Sequence, residues 1–397
     1  MRLRTAAAAC LTATTVLSTL LSASSPALAE PRAGFELAFT GWVGDDSTQS
    51  VLTVDTASGQ VRTFAAGGAN ALTWTASGDR LLWLAPEHPD DAGATLFSAR
   101  PDGSDRQEVL AGSDVRSVAA SPDGTVAVVR ADLPVGTDCA TNPPVPRAEV
   151  LLLAPDGTRR GLGEVPVNTS GLQFSPDGSR LLWRSSAGDP CGGGADSQVF
   201  VTDLAAGTTR QVTGESQRAG WLSFAADGRT VLAAKSDGLG QDLVRLDLDT
   251  ATSERLRTTG FAESLPAASP DGTRFAIVRT PGYPEYGPVF VPTGTPHVVV
   301  VDAWGRELQD LGPTPVVVDH LAWSPDGSFL ALGGFTSVPA CEGCDYGSAD
   351  PALWTVPLDG GAPAQLTTAG GFATAGLAFR STFPDPPVVE RRARRSR

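Results

Sequence analysis

The sequence is poor in basic side chains. It holds 30 Lys and Arg residues against 44 Asp and Glu residues, which gives a formal net charge of −14 at pH 7. Because an acidic surface repels phosphate backbones, this deficit argues against nucleic acid as a partner. Long apolar runs are also absent after residue 29, where no stretch reaches the ~18 apolar residues that a membrane span requires. We therefore predict no nucleic-acid partner and no transmembrane segment.

The N-terminus has the composition of an export signal. Arg2 and Arg4 precede a long stretch of Ala, Leu, Val and Thr, and Ala27-Leu28-Ala29 forms a small-x-small cleavage site. We predict a signal peptide over residues 1–29, cleaved after Ala29, and a mature protein that is secreted or held in the cell envelope. Cys10 offers a lipoprotein site as the alternative, but too little apolar sequence precedes it.

The chain contains a repeated tetrapeptide, Ser-Pro-Asp-Gly, in four full copies and two degraded ones. Proline at the second turn position fixes φ for a type I turn, and the final glycine takes the left-handed conformation. Each copy therefore predicts a hairpin between two apolar strands. We interpret the Asp and Gly residues as structural and not catalytic. They are Asp123, Gly124, Asp177, Gly178, Asp227, Gly228, Asp271, Gly272, Asp326 and Gly327.

The turns recur at intervals of 44 to 55 residues, a period typical of a propeller with four-stranded blades. A second repeat consists of a strand, a turn and a more polar strand, and it occurs seven times. The hairpins that contain Ser-Pro-Asp-Gly or a degraded copy of it number only six. Residues 35–42 and 376–379 supply the missing strands, and their pairing would close the ring. We predict an all-β fold, a seven-bladed β-propeller of four-stranded antiparallel blades over residues 33–384. A disordered basic tail over residues 385–397 would follow it.

Residues 174–183 show the repeat in full. It consists of an aromatic residue, Ser-Pro-Asp-Gly, two further residues and three apolar residues. It resembles the PD40 (WD40-like) propeller repeat of the TolB family, and it is similar to the N-terminal propeller of prolyl oligopeptidase-type peptidases. The resemblance implies the fold, but this architecture hosts unrelated functions. TolB-type proteins carry an α/β domain before the propeller, and the peptidases carry an α/β-hydrolase domain after it. Here the predicted propeller begins almost at the predicted mature N-terminus, so we expect no Tol-complex membership. Only 13 residues follow Pro384 and no Gly-x-Ser-x-Gly motif occurs, so we expect no peptidase activity.

The predicted blades divide their connections between two faces. We name the strands of a blade A to D in chain order. The A–B and C–D turns then share one face, the turn face, and the B–C and D–A loops share the other, the loop face. Long loops on a rigid scaffold commonly carry binding sites, so the loop face is the predicted contact surface. Its long B–C loops span residues 131–148, 185–197, 281–296 and 336–351.

All four cysteines that follow the predicted signal fall in these loops. Export favours disulfides, and of the three pairings we favour Cys139–Cys191 with Cys341–Cys344, because the alternatives would span the ring. Cys341 and Cys344, separated by two residues, also fit half of a zinc site or a redox pair.

Histidines and acidic residues mark the loop face as well. We assign His88 and His297 to B–C loops and His320 to a D–A loop, all on this face, and acidic residues such as Glu342 and Asp345 crowd its loops. These five residues are the candidate binding site. A metal or acid–base site would suit them, with calcium as the fitting ion, but scattered histidines and solvated acidic loops are the simpler interpretation. We predict no cofactor and no catalytic residue.

The sequence thus predicts an exported binding or scaffolding module. We expect a monomer that contacts an envelope or extracellular protein or a glycan through the loop face. The alternative is a propeller hydrolase or lyase with a site at the central mouth of that face. A third reading is a subunit whose catalytic domain is a separate chain.

Overall fold

The computed structural model of the protein is built from β-strands and turns. The structure describes residues 34–41, 49–67, 69, 71–85, 94–110, 114–131, 147–166, 168–186, 197–213, 218–236, 241–256, 260–284, 290–335, 351–367 and 376–381. The predicted signal peptide and the predicted basic tail lie outside these ranges. Within them, no helix is long and apolar enough to cross a membrane.

The described residues form seven antiparallel sheets, which are the blades. Blade 1 contains β1 (Glu36–Gly41), β2 (Ser50–Asp55) and β3 (Val61–Ala65); blade 2 contains β4 (Ala71–Trp74), β5 (Leu81–Ala85), β6 (Thr95–Ala99) and β7 (Gln107–Leu110); blade 3 contains β8 (Asp114–Ala120), β9 (Val126–Ala131), β10 (Arg147–Leu153) and β11 (Arg159–Pro166). Blade 4 contains β12 (Ser170–Phe174), β13 (Arg180–Ser186), β14 (Ser197–Asp203) and β15 (Thr208–Gln211).

The remaining blades continue this order. Blade 5 contains β16 (Arg218–Phe224), β17 (Thr230–Ser236), β18 (Gln241–Asp247) and β19 (Thr252–Leu256); blade 6 contains β20 (Phe261–Ala268), β21 (Arg274–Pro284), β22 (Phe290–Pro292), β23 (His297–Asp302) and β24 (Glu307–Pro313); blade 7 contains β25 (Val317–Trp323), β26 (Phe329–Phe335), β27 (Pro351–Pro357) and β28 (Ala364–Gln365); and β29 (Leu377–Phe379) joins blade 1. The predicted seven-bladed propeller is confirmed.

The A strand of each blade lies innermost. A strands of neighbouring blades contact one another and so surround a central channel. Blade 5 also contacts blade 4 through β16 and β14.

The ring closes as the sequence predicts. β1 lies between β2 and β29, with Leu37 opposite Phe379. The next residue, Arg380, donates from Nε to Gly78 O in blade 2 over 2.6 Å and pairs with Glu36 of blade 1 over 3.2 Å. The C-terminal strand thus completes blade 1, and the residue after it ties that blade to blade 2.

The Ser-Pro-Asp-Gly turns stabilise themselves through the Asp carboxylate. Ser175 Oγ donates to Asp177 Oδ1 over 2.6 Å and Ser179 N–H donates to the same oxygen over 3.0 Å, and these bonds lower the pKa of Asp177. Gly178 has a φ of +69°, and a Cβ there would lie 2.8 Å from Ser121 Oγ of the neighbouring turn. The other turn residues take equivalent positions: Asp123, Gly124, Asp227, Gly228, Asp271, Gly272, Asp326 and Gly327.

Each pair of neighbouring blades encloses its own apolar core. Between blades 4 and 5, for example, Leu182 packs with Phe224 and Val231. Phe224 is one of the aromatic residues that directly precede a turn, and Phe174 and Trp323 at the equivalent positions are also buried. Full burial of one such side chain stabilises the fold by about 1.5–3 kcal/mol.

The structure differs from the sequence interpretation in the B–C connection of blade 6. We expected an irregular loop over residues 281–296. Instead, β21 extends to Pro284 and pairs with β22, with Tyr283 opposite Val291. Strand pairing therefore continues beyond the end of the four-stranded blade. The β-branched and aromatic residues in this segment favour the strand conformation.

Candidate binding site in the central channel

Five of the inner strands break register with the second strand of their blade shortly before the turn. Such a β-bulge leaves residues outside the ladder and redirects their side chains. In every case the bulge lies two to four residues before the strand ends, so the bulges form a band at one level of the channel. The bulged residues are Arg116, Gly171, Leu172, Gly220, Trp221, Leu265, Pro266 and Asp319.

A cavity of about 440 Å³, the channel cavity, lies at this level between the inner strands of blades 4 to 7. Most of the residues that line it are apolar, Trp221 and Leu265 among them, but polar and apolar atoms share its surface about equally. Gln173, Ser223 and His320 are the polar side chains. Leu265 has a φ of +54°, a left-handed conformation that costs a leucine about 1–3 kcal/mol. Strain of this kind is common where a strand is bent to shape a site.

Large apolar side chains are also exposed on the inner strands. Trp221 is 41% exposed, Phe261 36% and Val317 54%. Five large apolar side chains are exposed among the described residues, and these three belong to the inner strands β16, β20 and β25. Apolar surface on adjacent inner strands marks the channel wall of blades 5 to 7 as a contact surface.

A second cavity of about 220 Å³, the side cavity, opens between β12 and β16. It shares Gln173 and Trp221 with the channel cavity and is bordered by Arg184 of β13. Arg184 Nη1 donates a hydrogen bond to Gly220 O. Burial lowers the pKa of Arg184, and among the described residues no carboxylate opposes this effect. The guanidinium nevertheless stays protonated at neutral pH, because its ordinary pKa is very high.

Gln173 stands at the junction of the two cavities. Its Oε1 atom is buried and has no hydrogen-bond partner among the described residues. Buried polar atoms nearly always have partners, so an orphaned one beside a cavity points to a group that binds there.

Blade 6 carries a buried ion pair that is closed to ligands. Arg279 on β21 donates from Nε and Nη2 to Glu263 on β20 over 2.9 and 2.8 Å, and from Nη1 to Glu307 over 2.5 Å. The Arg279 guanidinium also lies over the ring of Phe261, with its central carbon 5.4 Å from the ring centroid. This pair stabilises the inner end of the blade.

The structure does not bring His297 and His320 into one site. His297 begins β23, and its Nδ1 lies 2.9 Å from Asp310 Oδ2 on β24. Burial raises the pKa of Asp310, but hydrogen bonds from Gly312 N–H and His297 outweigh this effect and lower it. His320 lies within β25 and lines the channel cavity, not in the D–A loop to which we assigned it. A register bulge lengthens β25 beyond the pattern visible in the sequence.

The other candidate residues lie outside the described part of the chain. They are His88, Glu342, Asp345, Cys139, Cys191, Cys341 and Cys344. The predicted disulfides therefore stay predictions. Among the residues that the structure describes, no group of three His, Cys, Asp or Glu residues could hold a metal ion.

The sequence interpretation missed Arg184, Gln173 and Trp221. One signal was available for Arg184, which directly follows the apolar run Leu181-Leu182-Trp183 on a strand that should pack between blades. Trp221 has no comparable signal, because its exposure depends on the bulge in β16.

Solved structures match the fold, although no protein-family model and no curated protein matches the sequence. TolB from Acinetobacter baumannii has a TM-score of 0.51 at 15% identity, over 87% of this chain and 66% of that one. An oligogalacturonate lyase from Vibrio parahaemolyticus has a TM-score of 0.55 at 11% identity, over 81% and 86%. A puromycin-hydrolyzing peptidase from Mycobacterium tuberculosis has a TM-score of 0.56 at 16% identity, over 85% and 54%.

These likenesses confirm the predicted TolB-like propeller fold. Identities of 11 to 16% establish the fold alone. The chain spans about two thirds of the length of that TolB and about half that of the peptidase. A lyase and a peptidase both have this fold, so the function of this chain has to be argued from its channel.

Proposed function

We propose that this protein is an exported binding module that holds a polypeptide segment of an extracellular or cell-envelope protein in its central channel. The observation that carries the proposal is the channel cavity of about 440 Å³ with the exposed indole of Trp221 in its wall. Concave, mostly apolar cavities with a few polar side chains are the usual form of binding sites.

The composition of the wall favours a polypeptide over a glycan. Leu222, Leu265 and Pro266 join Trp221 in the lining, and such a surface suits apolar side chains better than sugar hydroxyls. The bulges also take backbone N–H and C=O groups out of the ladder, and an extended peptide can pair with groups of that kind. Exposed tryptophan is a frequent anchor residue at protein interfaces.

The route from the loop face is consistent with this proposal. Phe261 and Val317 begin β20 and β25, at the end of the channel next to the loop face. A segment entering from that face would contact both side chains before it reached Trp221. The hydrolase or lyase alternative has no comparable support, because likeness to a lyase and a peptidase extends to the fold only.

A pull-down with three forms of the protein tests the proposal. The purified protein, its Trp221→Ala variant and its Trp304→Ala variant would each be immobilised and exposed to secreted and envelope fractions. Trp304 is a matched control, because it is 59% exposed but lies in the hairpin between β23 and β24, away from the channel. We expect a protein that is retained by the wild type and by Trp304→Ala and is lost from Trp221→Ala.

Two results would contradict the proposal. A partner that Trp221→Ala retains fully would place binding outside the channel. Retention of a glycan in place of a protein, with the same dependence on Trp221, would locate the site correctly but refute the polypeptide ligand.

A further inference from the structure

We infer that Arg184 forms a carboxylate-binding subsite in the side cavity. The segment bound in the channel would then place an acidic side chain or its C-terminal carboxylate against the Arg184 guanidinium. The inference rests on the proposed function, because it assigns ligand chemistry to the same channel.

The first support is the unused hydrogen-bonding capacity of Arg184. A guanidinium has five N–H donors, and one backbone carbonyl, Gly220 O, accepts from Arg184. Among the described residues no carboxylate pairs with it, whereas Arg130 and Arg279, on the second strands of blades 3 and 6, each pair with a glutamate. A desolvated cation without an anion gains more from a bound carboxylate than a solvated one does.

The second support is the shape of the side cavity around the guanidinium. Gly171 has a φ of +63°, and a Cβ there would lie 3.1 Å from Arg184 Nε. Any larger residue would therefore strain the backbone and push against the guanidinium. On the other side, Gly220 O fixes Nη1. A planar guanidinium held in this way matches the two oxygens of a carboxylate.

Two further side chains complete the subsite. Gln173 has a buried Oε1 without a partner, and turning its amide would present Nε2 as a second donor to the same carboxylate. Trp221 borders both cavities, so its indole can pack against the hydrocarbon part of a ligand whose charge reaches Arg184. Donors and apolar surface thus converge on one small volume.

A pair of probes that differ only in charge tests the subsite. Hippurate carries an aromatic acyl group and a carboxylate that resembles a peptide C-terminus, and hippuramide replaces that carboxylate with a neutral amide. Binding of both to the purified protein would be measured by calorimetry at pH 7. We expect the wild type to bind hippurate about tenfold or more tightly than hippuramide, because hydrogen bonds to a charged group are the stronger kind.

Substitutions then assign the preference to Arg184. Arg184→Gln should bind the two probes equally, whereas Arg210→Gln should keep the preference. Arg210 is the matched control, because it lies exposed on β15 of the same blade and its substitution changes the net charge equally. Arg184→Lys keeps the charge but not the planar fork, and it should retain part of the preference.

Equal binding of the two probes by the wild type would overturn the inference, even if Arg184→Gln failed to fold. A preference that survives in folded Arg184→Gln would overturn it as well. Glucuronate would serve as a third probe, and its binding in place of hippurate would refute a polypeptide carboxylate.

The two proposals fail separately. A protein partner whose capture depends on Trp221 but not on Arg184 would support the binding module and overturn the subsite. A carboxylate preference lost in Arg184→Gln, together with no captured protein, would support the subsite and overturn the polypeptide function.

Discussion

Blades 4 and 6 each carry an arginine on their second strand, but the two arginines meet opposite surroundings. Arg279 in blade 6 is 8% exposed and donates to two glutamates. Arg184 in blade 4 donates to one backbone carbonyl and borders a cavity. One blade of the propeller therefore holds a closed ion pair and another holds an open donor.

The difference lies in the residue opposite each arginine on the inner strand. Glu263 stands opposite Arg279, whereas Ser170 stands opposite Arg184 and is followed by the bulge at Gly171. An acidic residue opposite the arginine neutralises the guanidinium within the blade. A small residue opposite it leaves the charge of Arg184 beside the side cavity between β12 and β16.

Removing Glu263 from its ion pair with Arg279 should have the largest effect on stability. Glu263→Ala would leave the buried guanidinium of Arg279 with Glu307, which is half exposed, as its remaining partner. We expect the free energy of unfolding to fall by about 3 kcal/mol in urea denaturation, because an unpaired buried charge is costly. Glu263→Gln, which keeps an acceptor, should lose less. Equal stability of Glu263→Ala and the wild type would show that the pair contributes nothing.

The closure of the ring should come next. Arg380→Ala removes the hydrogen bond to Gly78 O, the ion pair with Glu36, and the contact of the guanidinium with the Trp74 ring. Charge-assisted bonds of this kind contribute about 2 kcal/mol together, so the unfolding midpoint should fall. The exposed control Arg210→Ala should stay within about 0.5 kcal/mol of the wild type. If both variants behaved alike, the C-terminal segment would not hold the ring closed.

The fold could be predicted because its determinants are local. Proline and glycine in Ser-Pro-Asp-Gly specify a turn without help from the rest of the chain, and their spacing counts the blades. Even the closing contact followed from counting, since residues 35–42 lacked a first strand and residues 376–379 lacked a second. The structure pairs these two segments as β1 and β29.

The site could not be predicted in the same way, because it depends on contacts between blades. A bulge such as that at Trp221 has no fixed sequence signature, and its position depends on the packing of β16 against its neighbours. We misplaced His320 for this reason. β25 begins at Val317 and contains a bulge at Asp319, so His320 lies inside the strand and not in the loop before it. Arg184 was visible as a charge after an apolar run, but only the structure shows that no carboxylate in the described part of the chain pairs with it.

Giving Arg184 an acidic partner within its own blade should have a smaller effect, confined to ligand binding. Ser170→Glu would place a carboxylate opposite Arg184, as Glu263 stands opposite Arg279. We expect the preference for hippurate over hippuramide to fall about tenfold, equivalent to about 1.4 kcal/mol, because the new carboxylate competes with the ligand. Ser170→Gln has a similar size without the charge and is the control. A preference unchanged in Ser170→Glu would separate Arg184 from binding.

The smallest expected effect belongs to the Ser-Pro-Asp-Gly turns, which recur in blades 3, 4, 6 and 7 and so give a baseline for the comparison. Hydrogen bonds from Ser175 and Ser269 lower the pKa of Asp177 and Asp271 below its ordinary value of 3.8. A pKa lowered by folding contributes stability that is fully present above the unfolded-state value and is lost as the pH falls through the folded-state value. The melting temperature should therefore fall more between pH 5 and pH 2.5 in the wild type than in Asp177→Asn. Glu108→Gln, an exposed control on β7, should follow the wild type.

Arg184 stays protonated throughout this range, so any difference between blades 4 and 6 that appears on acidification would have to come from the glutamates around Arg279. Identical acid profiles of Asp177→Asn and the wild type would mean that the turn carboxylates do not stabilise the fold.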